Sequence, residues 1–168
     1  MLSFDIRSLE SRAVQVDAEL PADDPIWEDG DPKPAGAVRV TGRLSSAGRT
    51  GRFYWHGRIE GDVNLPCRRC LTDTTVHVSD DAHLIFAEPG DEETDDPDVY
   101  QLDPKVRELD LRPAIREEWI IAAPTYAVCR EECKGLCPTC GTDLNERTCD
   151  CPPQTDSRWD ALKKVSRS

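Results

Sequence analysis

The chain has 168 residues, enough for one domain of ordinary size with a small appendage; 38% of them are hydrophobic and 32% are charged. Its net charge of −12, taken alone, argues against a general nucleic-acid binder. The N-terminus, Met1-Leu2-Ser3-Phe4-Asp5-Ile6-Arg7, has no basic region followed by an apolar run, and no stretch approaches membrane-spanning length, so no membrane association and a cytoplasmic setting are expected.

In chain order, residues 1–87 read as β-rich. Val14, Val16, Ala18 and Leu20 alternate with polar residues, as do Val38, Val40 and Leu44, then Phe53 and Trp55, then Ile59, Val63 and Leu65, and finally Val76 and Val78 leading towards Leu84 and Phe86. Period-two alternation in short runs broken by Gly, Pro and Asp predicts half-buried antiparallel strands. Pro21 to Gly36 reads as a loop, and Ser45 to Gly51 as a hairpin-like turn. Residues 88–98 are an acidic connector, and Val99 to Leu102 could be a short strand. Asp110 to Ala123 reads as a helix, with Asp110 able to cap its first turn, Pro113 tolerated there, and Leu111, Ile115 and Trp119 forming one apolar stripe. That helix is the expected cover for the sheet. Asp156 to Val165 reads as a short C-terminal helix.

The net charge hides an uneven distribution. Between Val38 and Cys70 there are seven arginines against Glu60 and Asp62, whereas between Asp80 and Asp98 there are nine acidic residues and no Lys or Arg. In the basic stretch Arg52, Tyr54, His56 and Arg58 would share one face of a strand, opposite Phe53 and Trp55. Arginine forks grip phosphate and aromatic rings stack on exposed bases, so this face is a candidate RNA or partner surface, together with Arg68 and Arg69.

Six of the eight cysteines cluster near the C-terminus: Cys129, Cys133, Cys137, Cys140, Cys149 and Cys151. Cys137-Pro138-Thr139-Cys140-Gly141 has the spacing of a zinc knuckle. Thiolate-rich tetrahedral sites select zinc or iron–sulfur clusters, and in a reducing compartment clustered pairs are better read as ligands than as disulfides. Six thiols exceed four, so Cys137 and Cys140 could be completed by Cys149 and Cys151 or by Cys129 and Cys133. A second pair, Cys67 and Cys70, encloses Arg68 and Arg69. It could borrow Cys129 and Cys133 to make two four-ligand sites, or act in thiol redox chemistry, which would need it at a helix N-terminus. No His lies in the module, which disfavours a catalytic zinc. No Gly-rich phosphate loop, G-x-S-x-G or H-E-x-x-H is present, so a non-enzymatic protein without a small-molecule substrate is expected.

The expected architecture is α+β: an antiparallel sheet or partly closed barrel covered by a helix over residues 1–123, a cysteine-rich zinc module over 124–153, and a helix or tail over 154–168. Four segments in this order, L-P-C-R-R-C-L (65–71), D-L-R-P-A-I-R-E-E (110–118), C-K-G-L-C-P-T-C-G-T-D-L-N (133–145) and D-S-R-W-D-A-L (156–162), make the chain similar to the YceD family of large-subunit ribosomal RNA accumulation proteins. The resemblance implies a ribosome biogenesis factor whose partner is large-subunit ribosomal RNA, a basic zinc-ribbon protein of the large subunit, or both. A protein-only adaptor and a thiol redox or metal-handling protein are the alternatives.

Overall fold

The structure, a computed structural model, describes residues 1–48, 51–88, 99–103, 105–152 and 158. It divides into two compact units, residues 1–65 with 75–125 and residues 66–74 with 126–168. The expected boundaries lie at 123/124 and 153/154; residues 66–74, expected in the first domain, group instead with the cysteine-rich unit. The elements are β1 (Ser3–Asp5), α1 (Ile6–Ser11), β2 (Val14–Leu20), β3 (Val38–Ser46), β4 (Arg52–Pro66), β5 (Asp73–Ala87), β6 (Val99–Gln101), β7 (Glu108–Asp110) and α2 (Arg112–Ala122).

The first unit is strand-rich. Its main sheet has the order β2-β3-β4-β5-β6, and β1 pairs with β7 in a small second sheet. The β2–β3 and β3–β4 pairs are antiparallel, but β6 runs parallel to β5, Ile85 opposite Val99. A wholly antiparallel sheet is thereby corrected to a mixed one. A parallel neighbour needs a long crossover rather than a tight turn, and residues 88–98 connect these two strands. Beyond Glu88 that acidic connector lies outside the described residues, as does the proposed C-terminal helix apart from Arg158. Strands β2 and β6 are the sheet edges, and no pairing among the described residues joins them into a barrel.

Period-two burial carries through β4, where Phe53, Trp55, Ile59 and Val63 are buried, and through the second half of β5 at Val78, Ala82, Leu84 and Phe86. The sequence suggested two short runs within residues 53–65; the structure joins them. Gly57 and Gly61 are core-face positions without a side chain, so the pattern has gaps but keeps its phase. Each gap is filled by an indole. A Cβ at Gly57 would meet Trp55 Cζ2 at 2.7 Å, and one at Gly61 would meet Trp119 Cη2 at 3.1 Å.

Two helical expectations change. Residues 6–11, read as part of a β-rich half, form α1: Asp5 Oδ1 accepts from Ser8 N at 2.9 Å as an N-cap, and Ile6 and Leu9 are buried three residues apart. Helix α2 begins one residue later than expected. Leu111 is its N-cap, while Asp110 Oδ1 accepts from Arg112 N at 3.0 Å and the Asp110 carboxylate clamps the Arg112 guanidinium. Ala114, Ile115 and Trp119 bury α2 in the same core cluster as Val38, Ile59 and Leu84 of the sheet.

The Pro/Asp-rich loop is tied to α2. Trp119 Nε1 donates to Pro32 O at 2.6 Å, Trp27 Nε1 donates to Pro21 O at 2.8 Å, and the two indoles meet edge to face at 6.3 Å. Arg116 donates to both Asp31 oxygens, at 2.7 and 2.9 Å, and this fork holds the Asp31 carboxyl below its ordinary range. A depressed carboxylate stabilises above its unfolded pKa and loses that contribution as pH falls through the folded value. Arg116→Ala should lower the melting temperature by about 5 °C at neutral pH. The difference from wild type should shrink in acid as Asp31 protonates, which thermal melts across pH would read.

Candidate metal centres and a polar sheet face

Within the second unit the two CxxC segments fold alike. Leu71 N donates to Cys67 O at 2.8 Å and Cys67 N to Thr72 O at 2.8 Å; Gly141 N donates to Cys137 O at 2.9 Å and Cys137 N to Thr142 O at 2.8 Å. Thr72 Oγ1 lies 3.3 Å from Cys70 Sγ, and Thr142 Oγ1 lies 3.2 Å from Cys140 Sγ. Both turns need a left-handed residue after the second cysteine. Gly141 takes it at φ 72°, and Leu71 takes it at φ 62°, a conformation a branched side chain adopts only under constraint. The sequence signal is C-x-x-C-x-T-D at 67–73 and again at 137–143. The second CxxC is legible from spacing alone, whereas the threonine two residues after each pair gains meaning only from its place beside Cys70 or Cys140.

The eight sulfurs form two groups, Cys67, Cys70, Cys129 and Cys133, and Cys137, Cys140, Cys149 and Cys151, each with its four sulfurs within 4.8 Å of one another. Backbone pairing explains the partition. Cys67 bridges Ala127 in parallel, and Arg68 N donates to Ala127 O at 2.9 Å, which lays the segment leading to Cys129 beside the first turn. The structure therefore does not bring Cys129 and Cys133 together with Cys137 and Cys140, which corrects that alternative. Nor does the first pair sit at a helix N-terminus; it lies on a turn between β4 and β5.

The sulfur spacing suits a metal ion. Cys67 Sγ lies 3.9 Å from Cys133 Sγ, and Cys70 Sγ lies 3.7 Å from Cys129 Sγ. A disulfide would need about 2 Å. Four thiolates at about 2.3 Å from a tetrahedral ion lie about 3.8 Å apart. Both groups could hold a metal ion. The thiols also divide by acidity. The Cys129 amide, with other backbone N–H groups, brings Cys67 down to about 6, and the Thr142 hydroxyl and amide bring Cys140 down to about 6. Burial and the neighbouring Cys133 push Cys129 up to about 12, and the hydrogen bond with Cys140 pushes Cys151 up to about 12. In each group the CxxC turn thus supplies a ready thiolate, while one of its partners needs a cation before it gives up its proton.

Of the two arginines in the first turn, both exposed, Arg69 is tied down by hydrogen bonds. Its Nη1 donates to Glu131 O at 2.9 Å and to Cys133 O at 3.0 Å, and its carbonyl accepts from Leu136 N at 2.9 Å. It therefore braces the link between the two groups. Arg68 lies over the Tyr126 ring at 4.5 Å, on the surface of the unit. Asn145 is a further brace: its Oδ1 accepts from Lys134 N at 2.8 Å, and its Nδ2 lies 3.5 Å from Cys133 Sγ.

Arg52, Tyr54, His56 and Arg58 do share the face of β4 opposite the core, in the first unit, whereas Arg68 and Arg69 belong to the second. His56 and Arg58 line an open hollow of about 960 Å³ with Arg39 and Arg43 of β3 and His83 of β5. The last three were not singled out as site residues, because only strand register brings them beside β4. Tyr54 adjoins the hollow, its hydroxyl 2.6 Å from His83 Nδ1 and its ring 5.5 Å from that of His56. Arg58 donates to both Asp81 oxygens at 2.8 and 2.9 Å.

Fold and site together define a strand-rich protein with a second unit built around two four-cysteine groups. Residues 55–166 match the family model described as large ribosomal RNA subunit accumulation protein YceD, and the chain belongs to that family. Among its relatives is the chloroplastic YCED homolog 1 of Zea mays, 29% identical over 146 residues, or 70% of this chain and 50% of that protein. The Arabidopsis thaliana homolog 1 is 29% identical over 125 residues, 56% of this chain and 38% of that protein. The uncharacterized protein YlbN of Bacillus subtilis is 31% identical over 134 residues, 76% of this chain and 73% of its own. The matches thus span half or less of the two plant relatives. No solved structure matches. Among the described residues no helix is long and apolar enough to cross a membrane.

Proposed function

We propose that this protein is a non-enzymatic ribosome biogenesis factor that supports accumulation of large-subunit ribosomal RNA, by contacting that RNA directly. The observation that carries the reading is the family match over residues 55–166, which spans β4 from Trp55 onward, β5, α2 and both cysteine groups. In this reading the second unit holds two zinc ions, each in four thiolates. Zinc supplies folding free energy there and no open coordination position for chemistry. The unit's described buried apolar residues are only cysteines and Ala127, too few to form a core unaided. The polar face of the sheet supplies the cationic and aromatic groups for RNA, and the acidic segment 88–98 opposes indiscriminate binding.

Depleting the protein should lower large-subunit relative to small-subunit ribosomal RNA, and tagged protein should co-sediment with large-subunit precursors. Purified protein should bind ribosomal RNA with an affinity that falls steeply with salt. Co-purification with a basic zinc-ribbon protein of the large subunit, without any RNA binding, would select a protein-only adaptor instead. The net charge of −12 is the observation that keeps this second reading in view.

A further inference from the structure

We infer that the hollow on the polar sheet face is a site for single-stranded RNA, with Arg43 holding phosphate and the Tyr54, His56 and His83 rings stacking bases. The inference rests on the ribosomal RNA reading above and assigns it a place and a form of RNA.

The charges of this face sort into rows across the strands. In one row Asp17 opposes Thr41, Thr41 opposes Arg58, and Arg58 is forked onto Asp81. In the row beside it Glu19 opposes Arg39 and Arg39 opposes Glu60, while the Arg39 guanidinium reaches Asp17 at 3.4 Å. Each of those arginines has a carboxylate. The third row runs Gln15, Arg43, His56, with His83 continuing it at 6.5 Å between ring centroids. It contains no carboxylate, and among the described residues none pairs with Arg43. An exposed guanidinium without an internal partner is the position where a ligand anion gains most.

The floor and the rim favour RNA over a protein partner. Gly42 and Gly57, opposite each other in register, contribute backbone to the lining of the hollow. No aliphatic side chain lines it, whereas the centre of a protein-docking surface is apolar. At one end three rings gather outside the core. Tyr54 and His83 are nearly parallel, 16° apart, and His56 is tilted beside them. Stacking on such rings needs bases freed from a duplex, which is how exposed sheet-face aromatics read single strands.

The test uses full-length metal-loaded protein and a short fluorescein-labelled RNA of mixed sequence, single-stranded or annealed to its complement, followed by anisotropy across a salt series. Wild type should bind the single strand more tightly than the duplex. Arg43→Ala should weaken single-strand binding about tenfold and reduce the slope of log affinity against log salt by about 0.7. His56→Ala should weaken it about tenfold with little change in slope. Arg43 is exposed, and unchanged melting of both variants would exclude a folding defect. If wild type binds the RNA and both variants bind equally well, the hollow is not the site while the RNA reading stands. If wild type prefers the duplex, the single-strand assignment is wrong. If wild type binds neither RNA, the RNA reading fails and the inference falls with it.

Discussion

Native protein should carry two zinc ions per chain by elemental mass spectrometry, with all eight thiols protected from alkylation, and Cys67→Ser should lose one ion. The expectation follows from two groups of four sulfurs, each within 4.8 Å, each closed by the same hydrogen-bonded CxxC turn. In small peptides a structural zinc supplies roughly 10–16 kcal/mol of folding free energy. Chelation should therefore open the second unit while leaving the first, which has its own apolar cluster, folded. Hydrogen exchange would read the two units separately. Binding should release protons, because Cys129 and Cys151 titrate near 12 without an ion, and affinity should fall as pH is lowered. A count of one ion, with Cys67 and Cys70 open to alkylation, would remove the first group from the metal-binding set.

Gly57→Ala should destabilise the first unit by about 4 kcal/mol, a large share of the stability of an ordinary domain. A Cβ there would stand 2.0 Å from Thr41 O, 2.6 Å from Gly42 Cα and 2.7 Å from Trp55 Cζ2. Two of those three contacts are backbone, so the strands must separate or the sheet must re-register. Gly61→Ala is the informative comparison. Its nearest neighbours are Trp119 ring atoms at 3.1 Å, which can yield by a few tenths of an ångström, so a cost of about 1–2 kcal/mol is expected. Gly36→Ala, with nothing within 4 Å, should be close to neutral. Urea midpoints at constant slope would rank the three. Equal stability of Gly57→Ala and Gly36→Ala would contradict the close approach of β3 and β4.

The alternation of buried and exposed residues was legible in β2, β3, β4 and β5, because one face of each meets a core and burial alone sets the period. The α2 stripe was legible for the same reason. The six residues of α1 were not. They are too short for a periodic signal, and only the Asp5 cap with Ile6 and Leu9 marks them. The parallel β6 was not legible either, since Val99–Gln101 has no pattern that states its direction.

For the candidate site, the cysteine spacing alone established that thiols come in pairs suited to a metal, since two sulfurs three residues apart reach one ion. It could not establish which pairs combine. Cys67 and Cys70 lie 59 or more residues from Cys129 and Cys133, and the contact depends on the backbone bridge from Cys67 to Ala127. Likewise the sequence placed Arg52, Tyr54, His56 and Arg58 on one strand face, because side chains alternate along a strand. Only the register of β3 and β5 against β4 brought Arg43 and His83 to that face. Local spacing decides what one strand or turn presents; pairing between distant segments decides which presentations meet.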